Sequence, residues 1–182
     1  ELHRAVQATL ASKSSVVPTR IGDEPDFEFV EVYQAPDRLR ETIGDHEKIT
    51  IGRDRWAGPG AIDGTYVRTT AEHADRRDTF EQMLTDLRPL ATATDVSRDG
   101  AAYRFRFGTD GKVLSGTATI TGGRIGTLAI GPGPGHGWAT ETVISDYDQA
   151  PAVDPPPAEK ILDQDDLRRG TIDPAIADLL AD

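Results

Sequence analysis

The sequence predicts an α+β domain in which one large antiparallel sheet curls around a long helix. Three observations carry this. Short segments of alternating apolar and polar residues, the period of a strand, recur over 27–68 and 101–148 between glycine-containing turns. Between those two regions, Phe80, Met83, Leu84 and Leu87 repeat at the i, i+3, i+4, i+7 spacing of a helix. Strands on both sides of a helix, joined by short turns, indicate antiparallel pairing rather than βαβ crossovers. A wide sheet served by one long helix has to curl around that helix's apolar face or leave the face wet.

The first element is a helix with Leu2, Ala5, Val6, Thr9 and Leu10 on one side, ended by Ser14, Ser15 and Pro18. Strands are expected from Phe27 onward. Phe27-Glu28-Phe29 and Val30-Glu31-Val32 each alternate, but the phase slips between Phe29 and Val30, as at a β-bulge or where both faces are covered. Ala35-Pro36-Asp37 punctuates the run; Leu39, Glu41 and Ile43 resume it; Gly44-Asp45-His46 turns the chain into 48–51. A further strand ends at Trp56, followed by the loop Gly58-Pro59-Gly60, an Asp63-Gly64 turn and the short segment Tyr66-Val67.

The long helix occupies 70–90. Thr69 with Glu72 has the form of a capping box, and Pro89 stands where the helix should stop. In the second half, Tyr103, Phe105 and Phe107 alternate with Arg104 and Arg106, three aromatics on one face and two cations on the other. Asp110-Gly111 and Gly122-Gly123 are hairpin dipeptides around a strand at 113–121. Strands at 124–130 and 139–147 flank the glycine-rich loop 131–137. Pro151 and Pro155-Pro156-Pro157 then form a stiff connector, and two short helical pieces close the chain, the second with Asp173 as cap and Pro174 in the first turn.

At 182 residues the chain is long enough for one buried core and short for two. Its net charge is −11, and from Glu141 to the end eleven Asp and Glu face three Lys and Arg. With no basic stripe, a phosphate backbone or an anionic lipid surface is repelled, so nucleic acid is not an expected partner. No apolar run is long enough to cross a bilayer. The absence of cysteine removes disulfides, thiolate nucleophiles and iron–sulfur clusters together. The chain starts at Glu1 with neither methionine nor leader, which reads as a trimmed mature fragment. Any targeting segment, with any lipid-bearing cysteine, then lies upstream.

Candidate catalytic groups do not assemble. His3, His46, His73 and His136 have no metal-ligand spacing, and no serine sits in a Gly-x-Ser-x-Gly elbow. The loop 131–137 lacks a Lys-Ser/Thr ending and precedes a strand, so no helix N-terminus awaits a phosphate there. Asp163, Asp165 and Asp166 lack the central glycine and distal glutamate of a calcium loop and read as a solvated helix start. The expectation is a protein that is not an enzyme and holds no metal or cofactor.

Only 37% of the chain is hydrophobic and 6% aromatic, a modest supply for so wide a sheet. Either the body is thin, or the space between sheet and helix is open to an apolar guest. In the second case Val32, Leu39, Ile49, Phe80, Met83, Leu84, Leu87, Tyr103, Phe105, Phe107 and Leu128 are expected to line one groove.

The order of segments resembles a family. Residues 28–43 (EFVEVYQAPDRLRETI), 48–60 (KITIGRDRWAGPG), 103–107 (YRFRF), 116–130 (GTATITGGRIGTLAI) and 141–151 (ETVISDYDQAP) are similar to actinobacterial lipoproteins of the LppX/LprG type. That resemblance implies a LolA-like fold: a strongly curved antiparallel half-barrel with helices packed on its concave face. It implies a carrier domain over 1–151, with the Pro-rich connector and short acidic helical tail of 152–182 packed on it or flanking it. It also implies a monomer outside the cytoplasm, at the cell surface or in a periplasm-like space, which carries a lipid or acylated molecule. Membrane anchorage is expected only through a lipidated cysteine upstream. The alternative is an extracytoplasmic interaction or sensor module of the same fold with a filled core.

Overall fold

The computed structural model describes residues 1–21, 28–58, 64–70, 87, 90, 93, 95–109, 112–131 and 140–165; at 21, 28, 107–109 and 112–114 it describes the backbone alone. Among the described residues, twelve strands hydrogen-bond into one open sheet. In chain order they are β1 (Ser14–Ile21), β2 (Glu28–Gln34), β3 (Arg38–Ile43), β4 (His46–Ile51), β5 (Asp54–Gly58), β6 (Tyr66–Thr70), β7 (Ser97–Asp99), β8 (Ala102–Thr109), β9 (Lys112–Thr121), β10 (Arg124–Gly131), β11 (Thr140–Val143) and β12 (Ile161–Asp163). Their order across the sheet is β12-β6-β5-β4-β3-β2-β1-β11-β10-β9-β8-β7. Every pair is antiparallel except β12 with β6, which is parallel. The sheet is therefore two up-and-down meanders, β1–β6 and β7–β11, joined where β1 meets β11.

Helix α1 (Leu2–Leu10) lies on one face of this sheet, here called the helix face. Its apolar side is the one its spacing predicts: Leu2, Ala5, Val6 and Thr9 are buried. They pack into a cluster with Val17, Leu87, Leu90, Ala93, Tyr103, Phe105, Ala118, Ile125, Leu128, Ile130 and Ile144. Phe105, 2% exposed, fits because its cross-strand neighbour is Gly116. A Cβ at Gly116 would stand 2.5 Å from the ring's Cζ.

A bulge at Ile125–Thr127 in β10 keeps three side chains on that face. Strict alternation would send Ile125 to the side opposite Leu128 and Ile130; one extra residue restores the phase. The backbone groups released by the bulge find partners elsewhere. The Ile125 amide donates to Thr9 Oγ1 (2.9 Å), which itself donates to the Ala5 carbonyl (2.9 Å). The Ile125 carbonyl accepts from the Tyr147 hydroxyl, and the Gly126 carbonyl from the Ile144 amide (2.9 Å). Beside it, Asp148, at φ 61°, accepts from the Lys13 amide (2.7 Å) and from Arg124 (2.6 Å), whose guanidinium lies over the Tyr147 ring.

The opposite face carries a second, smaller cluster: Ile49, Trp56 and Val153, with Val32, Ile51, Tyr66 and Ile161 against them. Val153 arrives on an extended strap, 150–157, that crosses β1–β3. The Ala150 amide donates to Ser14 Oγ (3.2 Å), the Val153 amide to Gln34 Oε1 (3.2 Å), and Arg38 donates to the Val153 carbonyl (2.8 Å). The strap ends in a 3-10 turn (Ala158–Lys160) and then β12, where Asp163 accepts two hydrogen bonds from Arg68 (3.2 and 2.7 Å).

The structure corrects several sequence expectations. Ser14, Ser15 and Pro18 do not simply end α1; they belong to β1, a strand in the middle of the sheet. Proline is tolerated there for a specific reason. Val16 exchanges two backbone hydrogen bonds with Ser145 (3.0 and 2.9 Å), Thr19–Ile21 pair with 140–142, and the ladder skips Val17 and Pro18. Alternate residues address the same neighbour, so the missing N–H of Pro18 falls in that gap. No bulge explains the phase slip at Phe29-Val30, since β2 pairs without a register shift; Phe29 on one face and Val30 on the other are each half-buried. Thr69 is not a helix cap: it pairs with Arg55 within β6, which continues to Thr70. A 3-10 turn and β12 precede the first of the two closing helical pieces, which starts at 164–165, where Asp163 Oδ1 accepts from the Asp165 amide (3.0 Å); its continuation lies outside the described residues. Of the helix expected over 70–90, only Leu87 and Leu90 are described; both are helical and fully buried. The glycine loop beyond Gly131 and the closing helix at Asp173-Pro174 lie outside the described residues.

Two measurements check this packing. Phe105→Ala should cost about 3–5 kcal/mol in denaturant unfolding, the price of an emptied aromatic site. The Lys13 amide and Arg124 hold the Asp148 carboxyl below the ordinary aspartate range. A depressed folded value gives stability that is present above the unfolded pKa, about 3.9, and is lost as pH falls through the folded one. Asp148→Asn should therefore lower the melting temperature at neutral pH and flatten its fall below about pH 4.

Candidate functional site

Lateral pairing fixes which side chains share a face, because directly opposed residues in neighbouring strands point the same way. Across the first meander one rung reads Ser15↔Tyr33↔Leu39↔Thr50, from β1 to β4. It lies on the helix face, two residues along β1 from Val17 of the α1 cluster. All four are buried, Ser15 at 1%, Tyr33 at 6%, Leu39 at 5% and Thr50 at 2% exposure. Two of them are chemically unusual for such a place. Ser15 Oγ and Thr50 Oγ1 have no hydrogen-bond partner. Tyr33 between them is held as a neutral phenol, its pKa raised by burial and then by the Asp37 carboxylate.

The second meander presents the apolar half of the same face. Tyr103 and Phe105 on β8, Ala118 on β9, and Leu128 and Ile130 on β10 meet Leu87, Leu90 and α1. At its rim the Tyr103 hydroxyl donates to Glu1 Oε2 (2.7 Å), and Arg98 sits over the ring and 3.5 Å from the same carboxylate. That hydrogen bond lowers the Glu1 pKa and raises that of Tyr103, giving the apolar half a charged margin.

The expected groove residues separate into groups. Leu87, Tyr103, Phe105 and Leu128 come together in the α1 cluster. Leu39 shares their face but stands on the β1–β4 rung. Val32 and Ile49 point the other way: the rung Val32↔Arg40↔Ile49↔Trp56 lies under the strap, so the sheet itself separates them from Phe105. Phe80, Met83, Leu84 and the Phe107 side chain lie outside the described residues. Ser15, Tyr33 and Thr50 were missed. The phase slip at Phe29-Val30 was the available signal, because it puts Val30 and Val32 on one face and Phe29 and Tyr33 on the other. Thr50, between Ile49 and Ile51, reads as an outward polar residue in any simple alternation.

The fold can be placed among known structures. LprF from Mycobacterium bovis superposes with a TM-score of 0.53, covering 85% of this chain and 94% of that one at 10% sequence identity. The two chains share a fold. LprF's agreement spans nearly its whole length, so the likeness concerns the complete sheet rather than one hairpin. A LolA superfamily protein, NE2245 from Nitrosomonas europaea, covers 83% of this chain and 92% of its own at 9% identity, with a TM-score of 0.35, too loose to define a fold. No protein-family model matches the sequence, and no curated protein matches it. Among the described residues, no helix is long and apolar enough to cross a membrane, and no group of three or more His, Cys, Asp or Glu could hold a metal.

The two faces are separate bodies of packing, which Val153→Asp checks. Expelling the strap should cost about 1.5–3 kcal/mol, the burial of one valine. In a Trp138→Phe background the emission of Trp56, 6% exposed, should shift to the red. Packing around Phe105 on the other face should be unaffected.

Proposed function

We propose that this protein binds or carries a lipid-like, acylated molecule on the helix face of its sheet. The observation that carries the reading is the fold shared with LprF along most of both chains. It is supported by the resemblance of residues 28–43 and 116–130 to lipoproteins of the LppX/LprG type. In this reading the sheet is the strongly curved half-barrel of a LolA-like carrier, with its helices on the concave side. Residues 1–151 form the carrier body, with the segment 152–182 packed on it or flanking it; the part of that segment up to 157 belongs to the strap on the face away from the ligand. The protein is a monomer outside the cytoplasm, held to a membrane only through a lipidated cysteine upstream of Glu1. It catalyses no reaction and needs no cofactor or metal.

The driving force is burial of methylene groups, worth about 0.8 kcal/mol each, so even a partly covered acyl chain binds usefully. In this reading the chain enters against Leu39 and Tyr33 on the β1–β4 rung by displacing what covers them, since both are buried in the ligand-free protein. A second reading, an extracytoplasmic interaction or sensor module with a filled core, is favoured by one observation. The cluster around Leu87, Leu90 and Phe105 is tightly packed, at 0–2% exposure.

One experiment separates the two. Protein purified without detergent is denatured and extracted, and the extract analysed by mass spectrometry. A carrier yields acyl lipid in roughly molar amount, and Leu39→Trp abolishes this while leaving the melting temperature unchanged. A filled core yields no lipid, and Leu39→Trp then destabilises by about 1–3 kcal/mol through overpacking.

A further inference from the structure

The strap has the form of a bound peptide. Residues 151–157 include Pro151, Pro155, Pro156 and Pro157, and Pro157 sits at φ −53°, ψ 136°, in the polyproline II region. That helix has three residues per turn, so residues i and i+3 share a side. Val153 and Pro156 are buried, whereas Asp154, Pro155 and Pro157 are exposed. One side of the segment is therefore set into the sheet, and the others face water.

The sheet meets that side with a groove suited to extended backbone. Ile49 and Trp56 cluster with Val153, and Val32, Ile51 and Tyr66 pack around them. Gln34 Oε1 accepts from the Val153 amide (3.2 Å), and Arg38 donates to the Val153 carbonyl (2.8 Å). The same guanidinium lies 3.6 Å from the Asp154 carboxylate. An aromatic-lined groove that receives a stiff, proline-rich segment is a recurring mode of recognition between proteins. One group in this groove is left over. Trp56 is 6% exposed, and its indole N–H is buried without an acceptor. The strap thus covers the apolar floor and leaves the donor in it unsatisfied, which is unfavourable.

We propose that the strap is an exchangeable intramolecular ligand, and that the groove beneath it takes a proline-rich extended segment of a partner protein. That segment carries an aliphatic residue, an acid next to it and a proline three positions after the aliphatic, as Val153, Asp154 and Pro156 do. It also brings a backbone carbonyl to Trp56. The room for it is the volume that the strap fills and vacates. A second copy's strap would leave the same donor unsatisfied, and a chain of net charge −11 repels its own copies. Lipid binding, on the other face, is not required.

Native-state hydrogen exchange reads whether the strap leaves. In the parent chain the Val153 amide is expected to exchange about 100-fold or more faster than the amides of β9 and β10, the mark of local opening. Exchange no faster than theirs overturns the inference, because the strap then opens only with the whole fold. Binding is read by the anisotropy of a fluorescein-labelled peptide, APAVDPPPAEK, the sequence of residues 150–160. The full chain carrying Val153→Asp, with its strap expelled, is expected to bind this peptide about 10-fold or more tighter than the parent chain. In the parent the tethered strap competes at an effective concentration on the order of millimolar. Should Val153→Asp not fold, Pro156→Asp opens the strap in its place. Alanine at the peptide's valine, or at the middle proline of its triplet, should abolish binding. A peptide panel that keeps the valine, the aspartate and that proline and varies the rest should contain members about 3–10-fold tighter than the strap sequence, the gain of one neutral hydrogen bond. Trp56→Phe should erase that margin. The inference is overturned if the folded, strap-expelled chain binds no peptide, if a scrambled peptide binds equally well, or if no panel member exceeds the strap sequence. A dimer of the parent chain that Val153→Asp dissolves also overturns it, because the occupant is then a second copy.

Discussion

One extra residue in β10 decides how α1 meets the sheet. Without the bulge at Gly126, Ile125 would turn away from Leu128 and Ile130, and the strand would offer α1 a core face broken at its end. With it, the strand presents three aliphatic side chains in succession and frees one amide and two carbonyls. Those groups are bound by Thr9 of α1, by Tyr147 and by Ile144, so the bulge couples the helix, the strand and the turn after β11. Burial of the α1 cluster and the fixed place of the 145–150 corner both follow from it. The corner in turn starts the strap, since the Ala150 amide is held by Ser14 at the beginning of β1.

From that starting point the two faces take different work. The helix face holds the larger cluster and, beyond it, the Ser15–Thr50 rung, where hydroxyls and apolar groups are buried side by side. The strap face is closed by residues from the C-terminal part of the chain. There Arg40, Glu47 and Tyr66 pair in sequence: Arg40 lies 3.1 Å from Glu47 Oε1, and the Tyr66 hydroxyl donates to Glu47 Oε2 (2.6 Å). Opposite charges thus meet within the strap face, and Arg68 with Asp163 ties its last strand to β6. The acidity of the C-terminal quarter is put partly to this structural use.

Much of this was legible in the residues, and the exceptions share a cause. The amphipathic α1, the hairpins at Gly44 and Gly122-Gly123, and the aromatic stripe of β8 were readable because each is a local pattern. β1 was not, because Pro18 and two serines are poor strand signals; only the tertiary fact that its ladder to β11 skips that position makes them compatible. β12 was hidden for the same reason, three residues whose pairing with β6 spans almost a hundred positions of sequence. Of the expected groove residues, Leu87, Tyr103, Phe105 and Leu128 fall within one packed cluster. Val32 and Ile49 were drawn to the wrong side of β2 and β4, since a strand covered on both faces offers no polar residue to mark the outside. The unpartnered hydroxyls could not be read at all: being without a partner is a property of the assembled sheet.

The gap beside Pro18 has a mechanical meaning. Each meander is knit by pairing between neighbours in sequence, so its contacts are local and it holds together as a panel. Among the described residues, the sheet ladders of the two panels meet at β1 and β11, residues more than a hundred positions apart, and that ladder lacks backbone bonds at Val17 and Pro18. It is a gap in the backbone ladder of an otherwise continuous surface, bridged by α1 on one face and the strap on the other. Bending or parting the sheet along it breaks fewer backbone bonds than separating β2 from β3 or β9 from β10. The helix-face rung begins immediately beside that gap, at Ser15.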